Sequence, residues 1–429
     1  MAGQGERIRL ARQRVGINQR ELAQLAGVSQ PTISRVESGE HPGLTVTELH
    51  RIAVATGTTV AALLRETPGA GRLLSAARLA AGAAVGAEST AASVAAELLE
   101  LDATLDALAV PGRQERRRPE AEFDRKDGPS EQGRTAAAGI RAALGAGVGP
   151  LADIDESIEQ LTGVDVVHRE LGGVSGFCAV DPDRGTAIVL VGTGAAETAE
   201  RQRFTAAHEL AHLMFPGDPR HQVSAGRPRP PEEVRADTFA RHLLIPADGV
   251  RSWLLANDVT TVTEAEWAAL ANVYRVSPEV VLIQLRELGR APAGLDGPPT
   301  GRRLAYRHGW GPAYDLAQAA ARADRPAVRL VDRATRAYRQ GKLGLPPLAK
   351  LLGMSVNDAR AALADAGVVP PRRDDDAAVD AAISGHLMAG LSPTAADRRM
   401  ARRIVDGDEA ADRSIRRSAE RLGISTTGE

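Results

Sequence analysis

Apolar positions in this chain recur mostly at helical spacing, and the glycines and prolines between the runs divide it into blocks. The runs Leu22-Ala23-Gln24-Leu25-Ala26 and Pro31-Thr32-Ile33-Ser34-Arg35-Val36 flank Gly27-Val28-Ser29. Glycine suits the left-handed residue that ends one helix and serine the N-cap that opens the next, so the pattern predicts a helix-turn-helix. Helices over Glu6 to Arg14, Val46 to Thr56 and Val60 to Leu64 complete a predicted five-helix bundle. Leu73 to Leu108, rich in Ala and Leu with acids interspersed, predicts one long helix or a hairpin. Farther along, Thr186-Ala187-Ile188-Val189-Leu190-Val191 reads as a strand, and Leu270 to Gly289 as a closing helical segment. Arg333 to Leu363 repeats a helix-turn-helix-like rhythm. The expected fold class is mainly α and multidomain, with a small sheet.

Within this frame, Phe204-Thr205-Ala206-Ala207-His208-Glu209-Leu210-Ala211-His212 carries the chemistry. On a helix, residues four apart share a face and lie about 6 Å apart along the axis, so His208 and His212 can reach one tetrahedral zinc. Glu209, one position round, faces the same cleft, where it can take a proton from a water that the metal activates and return it to the leaving amine. Leu210, Leu213, Met214 and Phe215 give the helix an apolar side, and Pro216-Gly217-Asp218-Pro219 ends it. The alternative is an ordinary core helix with a chance His pair. Two histidines among Ala and Leu nonetheless need partners, and a metal supplies them.

A third ligand is expected just downstream, where Pro230 to Pro246 predicts a helix with proline at its start, acids in its first turn and proline at its exit. Val234, Phe239, Ala240, Leu243 and Leu244 are its core-seeking positions. Glu233 and Asp237, at i and i+4, can both point toward the His-bearing helix. This pair of segments, with Glu233, Ala236, Phe239, Ala240, Leu243, Leu244 and Pro246 in order, resembles the ImmA/IrrE family of metallo-endopeptidases over roughly Arg141 to Leu288. The resemblance implies an α+β, zincin-like peptidase domain. It makes Glu233 the third Zn2+ ligand after His208 and His212, and leaves Asp237 behind a ligand, orienting its imidazole.

The N-terminal bundle resembles the Cro/phage-repressor (XRE) family, whose second motif helix enters the major groove of a double-stranded DNA operator. That resemblance makes Gln30, Thr32, Ile33 and Arg35 the groove-facing candidates and Gln19 a phosphate contact. The pattern alone leaves Ile33 equally a core residue. Residues 1 to 65 hold eight arginines against five glutamates, a modest +3. The charge agrees with DNA binding without requiring it, and a bundle reused for protein contacts or dimerisation is the alternative.

The whole chain is nearly neutral, at −2 over 429 residues, and its 3% aromatic content is partly offset by Ala and Leu. A single cysteine, Cys178, excludes an intrachain disulfide and is read as a packing residue. No apolar run approaches the ~18 residues of a membrane span and no signal-peptide core opens the chain, so a cytoplasmic protein is expected. The blocks predict a helix-turn-helix domain over 1–67, an Ala-rich helical segment and flexible linker over 68–135, and the peptidase domain over 136–290. A helical extension follows over 291–370, with a structural or partner-binding role, and a small helical tail over 371–429. The linker, Pro111 to Thr135, includes a basic cluster from Arg113 to Arg118 and would act as a hinge. In the tail, Ser384 to Pro393 and Arg403 to Asp408 resemble the small VbhA-like antitoxins of Fic-type toxins. Met388 stands where their inhibitory glutamate would be. The generic reading there is an amphipathic tail.

Two functions are compatible with this sequence. One is a DNA-bound zinc endopeptidase that cuts a repressor or other regulatory protein when a signal arrives. The other is a transcription factor or antitoxin, monomeric or homodimeric, whose peptidase-like domain senses a ligand or partner and cuts nothing.

Overall fold

A computed structural model describes residues 4–40, 44–58, 60–64, 87–112, 117, 119, 123–124, 126–181, 184–215, 230–292 and 298–370. The first five helices, α1 Gln4–Arg14, α2 Gln19–Ala26, α3 Gln30–Ser38, α4 Val46–Thr56 and α5 Val60–Leu64, form the N-terminal bundle. Local chemistry fixes its turns. Asn18 and Glu21 close a capping box on α2, Gly27 ends that helix at φ 67°, and Ser29 Oγ accepts the Thr32 N–H to open α3. Caps of this kind are each worth about 1 kcal/mol. Ile8, Leu22, Ile33 and Ile52 are all wholly buried in the bundle. Ile33 is therefore removed from the groove-facing candidates: it stands three residues from the buried Val36, on the inner face of α3.

The remaining elements in order are α6 Ala87–Ala107, α7 Pro129–Ala143, α8 Ile154–Thr162, β1 Asp165–Arg169, β2 Gly176–Asp181 and β3 Thr186–Gly192. They continue with α9 Ala199–Met214, α10 Pro231–Leu244, α11 Ala247–Ala256, α12 Glu264–Tyr274, α13 Pro278–Glu287, α14 Gly301–Arg307, α15 Gly311–Ala320, α16 Val328–Arg339, α17 Leu345–Leu351 and α18 Val356–Asp365. The protein is mainly α-helical around one three-stranded sheet of order β1-β3-β2, in which β3 pairs parallel with β1 and antiparallel with β2. The central strand is apolar on both faces because both faces are covered. Val189 and Val191 enter a core built with α9 and α10, while Ile188 and Leu190 enter a second core with α6 and α16.

One sequence expectation changes here. Pro129 opens α7, so the last residues read as linker are helical and packed, with Gln132 and Gly133 buried. Gly133 lets the backbones of α7 and α10 meet: a Cβ there would lie 2.5 Å from Arg235 O and 2.9 Å from Phe239 N. The described part of the Ala-rich segment is one helix, Ala87–Ala107. Helix α6 packs on β2 and β3, and its Asp102 and Asp106 bind Arg184 and Arg333, fastening it to the β2–β3 turn and to α16. The segment from Leu270 to Gly289 is two helices, broken where Arg275 turns left-handed (φ 52°) and Ser277 caps the proline-led α13.

The rhythm at Arg333 to Leu363 is a second helix-turn-helix in shape. Gly353 turns at φ 67°, Ser355 caps α18 through the Asp358 N–H, and Ala359 is wholly buried where the first motif buries Ile33. This unit seats the N-terminal bundle. The Gly344 N–H donates to Val54 O at 2.9 Å, Lys350 Nζ donates to Arg14 O and pairs with Glu97 at 2.8 Å, and Arg14 pairs with Glu100 of α6 at 2.5 Å. Residues 68 to 86, most of the basic cluster at 113 to 118, the stop at 216 to 219 and the antitoxin-like tail at 371 to 429 lie outside the described residues. Among the described residues, no helix is long and apolar enough to cross a membrane.

Candidate functional site

Helix α9 starts at the Thr198 N-cap and buries Ala206, Ala207, Leu210 and Ala211 wholly in the core. That apolar side fixes the opposite face, and the i, i+4 spacing then brings His208 and His212 together with their Nε2 atoms 3.0 Å apart. Helix α10, crossing at Gly133 and anchored by Phe239, Ala240 and Leu243, delivers Glu233. Its carboxylate oxygens lie 3.3 Å from His208 Nε2 and 3.6 Å from His212 Nε2. A tetrahedral zinc with ligands at about 2.05 Å separates them by about 3.3 Å, so the three observed spacings bracket the edge of that tetrahedron. Two neutral imidazoles and one carboxylate form a donor set that zinc accepts. Among the described residues this is the one group of three such side chains disposed to hold a metal ion.

Asp237, one turn beyond Glu233, reaches His208 Nδ1 at 3.1 Å. It thereby turns the ring so that Nε2 faces the cluster, as carboxylates do behind metal-bound histidines. Burial alone would depress the His208 pKa, but hydrogen bonds to Asp237 and Glu233 and the Glu209 charge raise it to about 10. The pocket is thus electrostatically built for a cation.

Glu209 is only 4% exposed and lies under the first residue of β2. A Cβ at Gly176 would overlap Thr205 Cγ2 and approach Glu209 Oε1 to 2.6 Å. Gly176 and Thr205 are site residues that the sequence reading missed. A glycine opening an otherwise apolar strand is the only local signal, and its meaning depends on a helix far along the chain.

The DNA-reading candidates divide. Gln30 and Arg35 are exposed on α3, Thr32 is half-buried with its hydroxyl 2.7 Å from Ser29 Oγ, and Ile33 lies in the core. Gln19 donates to Glu37 at 2.9 Å and accepts from Gln30 at 3.1 Å, so it bridges α2 and α3. Glu37 is in turn clamped by Arg12 at 2.6 and 2.8 Å. Burial pushes the Glu37 carboxyl up, and Arg12 and Gln19 hold it below its ordinary value. Arg51 on α4 also approaches this surface, with its Nη1 3.0 Å from where a Cβ of Gly27 would stand. The sequence reading did not single it out.

Comparison with known families agrees with both halves. Residues 5–66 match the family model for a Helix-turn-helix domain, and residues 162–286 match that for an IrrE N-terminal-like domain. No curated protein matches the chain. The protein joins an XRE-like helix-turn-helix domain, which implies DNA binding, to an ImmA/IrrE-type peptidase domain of a metallopeptidase family that generally binds zinc.

Proposed function

We propose that the protein is a DNA-binding transcriptional regulator whose peptidase domain is a zinc-dependent endopeptidase, cutting a repressor-like or antitoxin-like regulatory protein in response to a signal. One observation carries this reading: three ligand atoms at tetrahedral spacing lie beside the buried carboxylate of Glu209. His208, His212 and Glu233 would hold the ion. When bound, zinc polarises the scissile carbonyl and makes water more acidic.

The protein side chains then perform the proton transfers. Glu209 takes a proton from the attacking water as its oxygen bonds to the carbonyl carbon, and passes that proton to the amide nitrogen as the C–N bond breaks. Asp237 keeps His208 in the tautomer that offers Nε2 inward. An extended substrate has a natural seat on β2, an edge strand of the sheet. The Gly192 N–H donates to Ser175 O at 2.8 Å, so the next residue, Gly176, turns its own N–H and C=O away from β3. A peptide pairing there would pass directly above Glu209.

Metal analysis and cleavage test the mechanism together. The purified chain is expected to carry about one zinc, His208→Ala to lose it, and Glu209→Gln to keep it while cleavage falls by roughly 10² to 10⁴. Equal cleavage by Glu209→Gln and wild type would reject the peptidase mechanism. For the DNA half, Arg35→Ala is expected to weaken a specific operator by about 1–3 kcal/mol and to relax its sequence preference.

A non-proteolytic sensor is the second reading, and the seating of the bundle on the body through Val54, Arg14 and Lys350 favours it. Such a seat can pass on the state of the metal pocket without cleavage. Normal induction of an operator-driven reporter in Glu209→Gln, with loss in His208→Ala, would establish the sensor.

A further inference from the structure

The face of α9 that carries the metal-binding histidines extends toward its N-terminus through Thr205 to Arg201, following i, i+4, i+7 and i+11 spacing. Arg201 lies seven residues before His208, about 10 Å along the helix axis. Its side chain is 58% exposed, yet it is held at two points. Nη2 donates to Ser175 Oγ at 3.0 Å, and Nε pairs at 3.2 Å with Glu197, whose side chain is only 7% exposed. Ser175 Oγ in turn donates to Glu197 at 2.7 Å. The same Ser175 accepts the Gly192 N–H and so begins the edge strand. The guanidinium is therefore pinned to the end of β2 while other N–H groups remain free to face a strand laid along it.

We propose that Arg201, anchored by Ser175 and Glu197, is a specificity determinant that selects an aspartate or glutamate in the substrate one to three residues from the scissile bond. The range follows from the fold: the helical offset of about 10 Å is an upper bound, because the side chain is held at Ser175, next to Gly176 above Glu209, and an extended chain advances about 3.3 Å per residue. Glu197, nearly buried, fixes the guanidinium from the protein side, and the exposed side is left to the substrate. The inference rests on the peptidase reading, and its test separates the two.

The zinc-loaded full-length chain is given a degenerate peptide library, and the cleaved members are sequenced. The wild type is expected to enrich acidic residues at one position one to three residues from the cut. Arg201→Ala should lose that enrichment, and Arg201→Glu should favour Lys or Arg there instead. A second readout needs no turnover. Glu209→Gln should bind a fluorescent peptide carrying aspartate at that position on the order of tenfold more tightly than its asparagine version, with the difference shrinking in high salt. Cleavage whose preference is unchanged by either Arg201 substitution would overturn this inference alone. A zinc-loaded wild type that cuts no peptide would overturn the peptidase reading and this inference with it.

Discussion

At the scale of single residues, the site is as much a matter of missing atoms as of functional groups. Gly176 leaves room for Thr205 and Glu209 beneath the edge strand, and a methyl group there must push α9 away or turn the carboxylate. Gly176→Ala is expected to lower stability by about 1–3 kcal/mol and to cut cleavage more than tenfold, while zinc content stays near one per chain. Thermal melts and metal analysis of the same preparation would check it. A second residue, His242 on α10, is 5% exposed and faces Arg241, Arg134 and Glu287. Burial, then the charge of Arg241, hold its pKa well below the usual 6.5, against the pull of Glu287. An imidazole of this kind takes up its proton on unfolding, so the stability it permits is present above pH 6.5 and declines as the pH falls through that value. His242→Gln should melt with a shallower loss between pH 7 and 5 than the wild type, and equal slopes would remove His242 from the account. The sequence showed His208, Glu209 and His212 because their geometry is local to one helix. Gly176 was illegible because its requirement arises between elements.

At the scale of elements, predicted boundaries are sound where caps and turns decide them. Gly27 and Ser29 mark the first helix-turn-helix, and Pro231 follows the N-cap Pro230 to open α10. They are unsound where packing decides. The stretch around Gly133 is polar and small, which reads as linker, yet that smallness is what lets α7 lie directly on α10. Ile33 shows the converse: pattern alone allowed it two faces, and only the assembled bundle chose the inner one. Because α10 carries both Glu233 and Asp237, the α7–α10 crossing should tune the metal. Gly133→Leu is expected to weaken zinc binding at least tenfold in competition with a chelator. Its N-terminal bundle should stay folded and bind DNA as before. Unchanged zinc affinity would mean that α10 takes its position from elsewhere.

At the scale of the whole molecule, the end of the segment read as a hinge, from Pro129, packs within α7 against α10. Helix α6 lies against the sheet, and α17 holds the bundle through Lys350, whose ammonium sits between Arg14 O and Glu97. Lys350→Glu would set like charges against Glu97 and Glu100 of α6. Calorimetry is expected to show the bundle melting as a separate, earlier transition in that variant and together with the body in the wild type. Operator binding should persist, since Gln30 and Arg35 lie exposed on α3. A single unchanged transition would show that the seat does not depend on this cation.

That seat also bears on where the proposed peptidase would act. With α3 in an operator, the cleft would travel as a fixed attachment of the DNA, within a molecular radius of roughly 20–25 Å for a chain of this size. A repressor on the adjoining site would meet the cleft at an effective concentration in the millimolar range, whereas the same repressor elsewhere in the cell would meet it only by diffusion. Such a peptidase could have a poor intrinsic affinity for its substrate and still clear one promoter, its selectivity set by genomic address.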